Sequence, residues 1–196
     1  MIYVVRHGQT DWNLEGRFQG RIDIPLNEKG KNQAKKTKEK LEGIEFDKVF
    51  SSPLKRALET AQIITNEPIE IDNRIIERCN GQLEGKLKTE CENMVDFTDE
   101  NEQKLGIESL PDFRGRITDF FDELEKKYAG KNVLVVTHAG VSIYVRCYFE
   151  GEPKDGNYNN YKLKNCEVLE YDNNTRKKDK AIEEDLYLLH ISILKV

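Results

Sequence analysis

Histidine is scarce in this chain, with three in 196 residues. Cysteine is nearly as rare: Cys79, Cys91, Cys147 and Cys166 lie far apart and form no CxxC pair. Too few soft ligands stand close together for a zinc site, so no metal is expected. Free thiols in a reducing compartment are the plainer expectation. Long apolar runs are missing as well. The apolar opening is interrupted by Arg6 and His7, so neither a signal peptide nor a membrane span is expected, and the cytoplasm is the expected location. There is no excess of basic charge either. Thirty-one Lys+Arg against 36 Asp+Glu leave a net charge of −5, which argues against a general nucleic-acid partner. Local charge can differ from the total, and several arginines in one pocket would focus a positive field.

What remains describes an ordinary folded protein with a heavily charged exterior, 37% hydrophobic and 34% charged. A chain of 196 residues fits one domain spanning 1–196. A domain of that size hides roughly 70% of its unfolded surface, so its core needs no disulfide staples. Internal repeats, low-complexity tracts and linkers are absent.

Strand-like and helix-like stretches alternate. Strands are expected at 2–6, 46–50, 69–72 and 132–137, and two late ones at 165–171 and 187–194. A polar helix is expected at 28–42, closed by Gly43. Ser51-Ser52-Pro53 reads as a helix start, with serine as the cap and proline in the first turn. The stripe Leu54, Ala57, Leu58, Ala61 and Ile64 follows it at helical spacing. Phe113, Ile117, Phe120, Phe121, Leu124 and Tyr128 repeat similarly up to Gly130, and a further helix is expected over 141–148. Residues 7–25 read as a loop. The acid-rich stretch 86–110 reads as an insertion or lid with a short helix, and 173–185 as a solvated excursion. This alternation predicts an α/β fold: a three-layer α/β/α sandwich whose central sheet is mostly parallel, with a late antiparallel strand.

Two of the three histidines end matching β-branched runs, Val4-Val5-Arg6-His7-Gly8 and Val135-Val136-Thr137-His138-Ala139-Gly140. Each reads as a buried strand finishing in a tight turn. In an open α/β sheet ligands bind at the carboxyl ends of the strands, so His7 and His138 are expected to meet there. Arg6 and Arg56 would join them, Arg56 from the first turn of a helix whose dipole favours an anion. A guanidinium presents parallel donors that match two phosphate oxygens. A neutral imidazole is a competent nucleophile near pH 7. Such a patch suits phosphoryl transfer without a metal. His190 stands in alternating strand sequence and is assigned no function; Trp12 is expected to pack under the site loop.

Further blocks carry a family resemblance. They are Arg6-His7-Gly8-Gln9-Thr10, Trp12-Asn13, Gly16-Arg17-Phe18-Gln19-Gly20, Pro25-Leu26-Asn27-Glu28-Lys29-Gly30, Ser51-Ser52-Pro53-Leu54-Lys55-Arg56-Ala57 with Thr60-Ala61, and Thr137-His138-Ala139-Gly140. In this order they resemble the histidine phosphatase (phosphoglycerate mutase-like) superfamily over nearly the whole chain. The resemblance implies that His7 attacks phosphorus and forms a phosphohistidine that water hydrolyses. It further implies a phosphate pocket of Arg6, Arg56 and His138, with Asn13 and Gln19 adding contacts, and no cofactor. Glu77, in the segment Glu77-Arg78-Cys79-Asn80-Gly81-Gln82-Leu83-Glu84-Gly85, matches the position of the proton donor; Glu84 is the competing acid. A carboxyl beside bound phosphate tends to keep its proton. Leu83 stands where the family usually carries an aromatic residue.

The partner implied is a small phosphorylated metabolite. Cofactor-dependent mutases of the family are typically longer, and the Gly16-Arg17-Phe18-Gln19-Gly20 block is more similar to the phosphatase branch. A mutase, or an inactive scaffold that binds a phosphorylated ligand, are the alternatives. Specificity is expected from 86–110 and from the loop 151–164, where Tyr158 and Tyr161 either stack on a ring or stiffen the loop. The sequence leaves the substrate and the oligomeric state open.

Overall fold

Alternation along two strands decides how the sheet is covered. In β1 (Ile2–Arg6) and β4 (Val133–Thr137), successive side chains point to opposite faces. Ile2, Val4, Val133 and Val135 pack on one side with Phe113, Ile117, Phe120, Phe121, Val141 and Val145. Tyr3, Val5, Leu134 and Val136 pack on the other with Ala57, Ala61, Ile64 and Leu41. Strands apolar on both faces must be buried on both faces, which requires helices above and below.

The chain, in a computed structural model, is described over residues 1–91 and 99–173. The expected strand 187–194, His190 and nearly all of the excursion 173–185 lie outside these residues. The sheet order is β3-β2-β4-β1-β5, with β2 (Lys48–Ser51), β3 (Ile69–Ile71) and β5 (Val168–Tyr171). All neighbours are parallel except β5, which runs antiparallel to β1. The expected α/β sandwich with a late antiparallel strand is therefore present.

α5 (Leu110–Lys127) and α6 (Ala139–Glu150) cover one face. α5 starts cleanly because the Ser109 hydroxyl accepts from the Asp112 N–H, with Pro111 in the first turn. Phe113, Phe120 and Phe121 are each at most 1% exposed; burying side chains of this kind stabilises by roughly 1.5–3 kcal/mol apiece. α3 (Lys55–Ile64) packs on the other face, and α2 (Glu28–Lys40) packs against α3. The mostly polar α2 is held by its caps: Asn27 accepts from the Gly30 N–H, and Lys38 and Lys40 end it at the negative pole of its dipole.

Two expectations require correction. The α3 helix begins at Lys55 rather than at Ser51-Ser52-Pro53, with Leu54 at the cap position, and the distant Asp23 carboxylate accepts from its first N–H at 2.7 Å. Ser52 is fully buried and its hydroxyl is shared with His138, so a tertiary partner takes the group that sequence assigned to the cap. The stretch 7–25 is not all loop: α1 (Asp11–Glu15) forms inside it, closed by a capping box in which Thr10 and Asn13 bond each other's backbone. The stretch 86–110 contains the expected short helix, α4 (Asp99–Lys104), and also folds back on the site loop through an Arg17–Leu87 bridge. There Leu83, Cys91 and Ile107 make a small core with Phe18 and Leu105, so Leu83 fills its place well.

Candidate active site

The register of the parallel strands brings the two histidines together. Arg6 pairs with Thr137 across β1 and β4, and the His7 N–H donates to the Thr137 carbonyl at 2.9 Å. His7 and His138 therefore leave the same sheet edge side by side, with ring centroids 5.2 Å apart. Ser52, at the end of neighbouring β2, donates its N–H to Val136 and shares a 2.7 Å hydrogen bond with His138 Nε2. The turn after His7 is packed tightly on α2. A Cβ on Gly8 would stand 2.6 Å from the Gly30 carbonyl oxygen, so only glycine allows that approach. Thr60 fixes the turn from the other side, accepting from the Gly8 N–H and donating to the Arg56 carbonyl.

A cavity of about 360 Å³ opens at this edge. Arg6, His7, Asn13, Gln19, Arg56 and Glu77 all line it, so six of the seven expected site residues converge. His138 is the exception. It is fully buried beside His7 and is not part of the cavity wall.

The protonation of His7 follows from its contacts. Its Nδ1 lies 2.7 Å from the Gly8 carbonyl oxygen, which can only accept, so Nδ1 carries the proton. Burial, then the charges of Arg56 and Arg6, hold its pKa well below the usual imidazole value. A neutral ring protonated on Nδ1 leaves the Nε2 lone pair free. His138 is held neutral for the same reasons, burial first and then Arg56.

The two arginines are fixed from behind. Arg56 is 1% exposed and donates to the Gly20 and Ile22 carbonyls at 2.7 and 2.8 Å. Burial pushes its pKa down to about 10, so it stays a cation at neutral pH. Arg6 donates to the Leu163 carbonyl at 2.7 Å. The Nε atoms of both arginines and His138 Nδ1 are buried without hydrogen-bond partners. Such orphaned polar groups are costly in a core and characteristic of a site that binds an anion. Asn13 uses its side-chain oxygen on the Thr10 N–H and Asn165 Nδ2, and Gln19 uses its own on the Thr10 hydroxyl. Each amide nitrogen is left as the donor for a ligand.

Glu77 and Glu84 are now distinguishable. Glu84 Oε1 accepts from the N–H groups of Arg21 and Asn80 and does not line the cavity. Glu77 does line it, with Oε2 accepting from the Gly140 N–H at 3.1 Å. Gly140 is required for that contact, because a Cβ there would meet Glu77 Oε1 at 2.4 Å.

Several cavity residues were not singled out from sequence. Arg17, Arg78, Lys88 and Lys162 bring further positive charge, and Phe113, Ile143 and Tyr144 form an apolar wall. Lys88 belongs to the stretch that reads as acidic, whose composition hid a cation at the cavity wall. Of the loop 151–164, Lys162 reaches the cavity while Tyr158 and Tyr161 do not. Tyr158 packs beside Tyr144, and Tyr161 lies under the Arg146 guanidinium, so these tyrosines stiffen the loop. Trp12 packs against Gly85, as expected of a residue under the site loop.

Two buried neutral histidines make stability depend on pH. Unfolded imidazoles bind protons below about pH 6.5, whereas the native rings resist them. The unfolded state then holds more protons, so stability falls as pH falls through that value. The slope approaches about 1.4 kcal/mol per pH unit per ring. Urea unfolding between pH 7.5 and pH 5 checks this, and His138→Gln should remove about half of the slope. A flat profile in the unsubstituted protein would contradict the buried neutral pair.

Comparison with known proteins gives the family of the chain. The family model of the histidine phosphatase superfamily (branch 1) matches residues 2–181. Phosphoserine phosphatase 1 of Hydrogenobacter thermophilus is 38% identical over 148 residues, covering 70% of each chain. The uncharacterised phosphatase PhoE of Bacillus subtilis is 36% identical over 147 residues, 73% of each chain. The crystal structure of a phosphoserine phosphatase mutant from Entamoeba histolytica with phosphoserine superposes with a TM-score of 0.74 at 26% identity, covering 85% of this chain and 87% of that one. Among the described residues no helix is long and apolar enough to cross a membrane.

Proposed function

Because this chain belongs to the histidine phosphatase superfamily (branch 1) and is a phosphatase of that kind, we propose that it hydrolyses small phosphomonoesters through a phosphohistidine on His7. The observation that carries this reading is the free Nε2 lone pair of His7 in one cavity with the guanidinium groups of Arg6 and Arg56.

The Nε2 lone pair forms the N–P bond as the bond from phosphorus to the leaving oxygen breaks. Glu77 gives its proton to that oxygen, and the alcohol departs. Water then attacks phosphorus, the N–P bond breaks, and the Glu77 carboxylate takes the water proton. Inorganic phosphate leaves, and His7 and Glu77 return to their starting states. Arg6 and Arg56 neutralise the non-bridging oxygens throughout, helped by the Asn13 and Gln19 amides, while buried His138 backs His7 from behind the cavity wall. Lys88 and Lys162 at the outer wall offer counter-charge to a substrate with a second anionic group. That makes phosphoserine, the ligand in the Entamoeba relative, the first substrate to try. The widely spaced cysteines, with no disulfide among the described residues, suit a cytoplasmic enzyme acting as one domain.

In this scheme the arginines supply the positive charge that a metal supplies elsewhere. Hydrolysis of p-nitrophenyl phosphate is therefore expected to persist in excess EDTA. Activity abolished by chelator and restored by magnesium would overturn the scheme.

A further inference from the structure

Glu77 lies outside any helix or strand, on the chain that follows a single 3-10 turn at Asn73–Ile75. A proton donor on irregular backbone needs something else to hold it. Three charged side chains that line neither the phosphate pocket nor its walls do so. The Glu77 carbonyl accepts from Arg116 Nη2 at 3.2 Å and from Arg21 Nε at 3.3 Å. Both arginines are tied to one carboxylate. Glu108 Oε1 takes Arg116 Nε at 2.8 Å and Arg21 Nη2 at 3.0 Å, and Oε2 takes Arg116 Nη2 at 3.0 Å.

The same glutamate grips the next residues. Its Oε2 accepts from the Cys79 N–H, its own N–H donates to the Cys79 carbonyl, and its carbonyl accepts from Arg78 Nε. Arg116 is anchored in turn on α5, where it also donates to the Arg74 carbonyl and lies over the Phe113 ring. The Glu108 side chain is 12% exposed and that of Arg116 is 16%, so water does little to loosen the contacts. Burial pushes the Glu108 carboxyl upward, yet its bonds and charges from Arg116 and Arg21 hold it below the usual range. It stays ionised.

We propose that Arg21, Glu108 and Arg116 form a positioning clamp that sets the reach of the Glu77 carboxyl, so that protonation of the leaving oxygen depends on residues that never touch substrate. The proposal rests on Glu77 as the proton donor. Displacing a general acid by an ångström is enough to lose much of its effect. The clamp also links proton delivery to the 86–110 stretch, since Glu108 lies at its end and Arg78 pairs with Glu102 within it.

Leaving-group dependence separates this from a general structural role. Nitrophenolate departs unaided, whereas an alkoxide needs the proton. The measurement is kcat/KM for p-nitrophenyl phosphate divided by kcat/KM for β-glycerophosphate, in Glu77→Gln, Glu108→Gln and Arg116→Lys. Glu77→Gln should raise the ratio about a hundredfold or more, and the clamp variants about tenfold. An unchanged ratio in Glu108→Gln and Arg116→Lys, with the ratio raised in Glu77→Gln, overturns the clamp and leaves the donor assignment standing. An unchanged ratio in Glu77→Gln overturns the donor assignment and the clamp with it. If Glu108→Gln does not fold, Arg21→Gln carries the test, because that side chain is 40% exposed. A ratio raised about threefold supports the clamp, and an unchanged one overturns it.

Discussion

His7→Ala is expected to lower kcat/KM for p-nitrophenyl phosphate by about ten-thousand-fold or more, the scale on which removing a covalent nucleophile acts. The reason lies in what cannot replace it. His138 is neutral and close, but it is fully buried and absent from the cavity wall. Among the described residues no other histidine, and no serine, threonine or cysteine, lines the cavity beside Arg6 and Arg56. The variant should fold, because His7 is held by one hydrogen bond to its neighbour's carbonyl and is neutral when buried, so no charge is left unpaired. Losing it also removes a ring that resists protonation, and the variant should lose less stability than the parent at pH 5. Phosphoenzyme trapping completes the test. The intact protein quenched during turnover should carry an acid-labile, base-stable phosphoryl group, and His7→Ala none. Equal rates in both proteins, or an acid-stable phosphoenzyme, would remove His7 from the mechanism.

Arg56→Ala should act on catalysis and stability together. In the proposed mechanism the guanidinium supplies positive charge where charge develops in the transition state, and losing one such donor costs about a hundredfold to a thousandfold in kcat. Its bonds to the Gly20 and Ile22 carbonyls pin the site loop, and removing it leaves the buried Gly20 carbonyl and the part-buried Ile22 carbonyl without their donor. The stability cost is expected at about 2–4 kcal/mol. Arg56→Lys keeps the charge and loses the fork, so it should recover much of the stability while kcat stays at least about tenfold low. Stability lost with kcat unchanged would make Arg56 a structural residue only.

The elements that sequence made legible are those whose pattern admits one physical solution. The runs Val4-Val5 and Val133-Leu134-Val135-Val136 are apolar on both faces, so they had to be central strands under helices. The phenylalanines of α5 repeat at helical spacing, and all of them are buried. The site was legible where chemistry sits at a strand end, as with Arg6, His7 and His138, since β1 and β4 each finish at one sheet edge. Other points were not. Ser52 looks like a helix cap by local rules, and only the register of β2 beside β4 places its hydroxyl against His138. Glu77 and Glu84 are seven residues apart in one irregular segment, and neither periodicity nor spacing ranks them. Gly140 and the Arg21–Glu108–Arg116 clamp do, and they come from three other parts of the chain.

The sequence by itself thus determined the layered α/β frame, the sheet edge at which Arg6, His7 and His138 stand, and the residue types on which the proposed phosphoryl chemistry rests. Those follow from short-range pattern and from the rule that strand ends in an open sheet form the site. Tertiary structure decided which proton each group keeps, which glutamate faces the cavity, and that Lys88 and Lys162 add charge at its wall. These depend on burial and on charges brought within a few ångströms by distant segments, and at that range Coulomb interactions and desolvation are strongest.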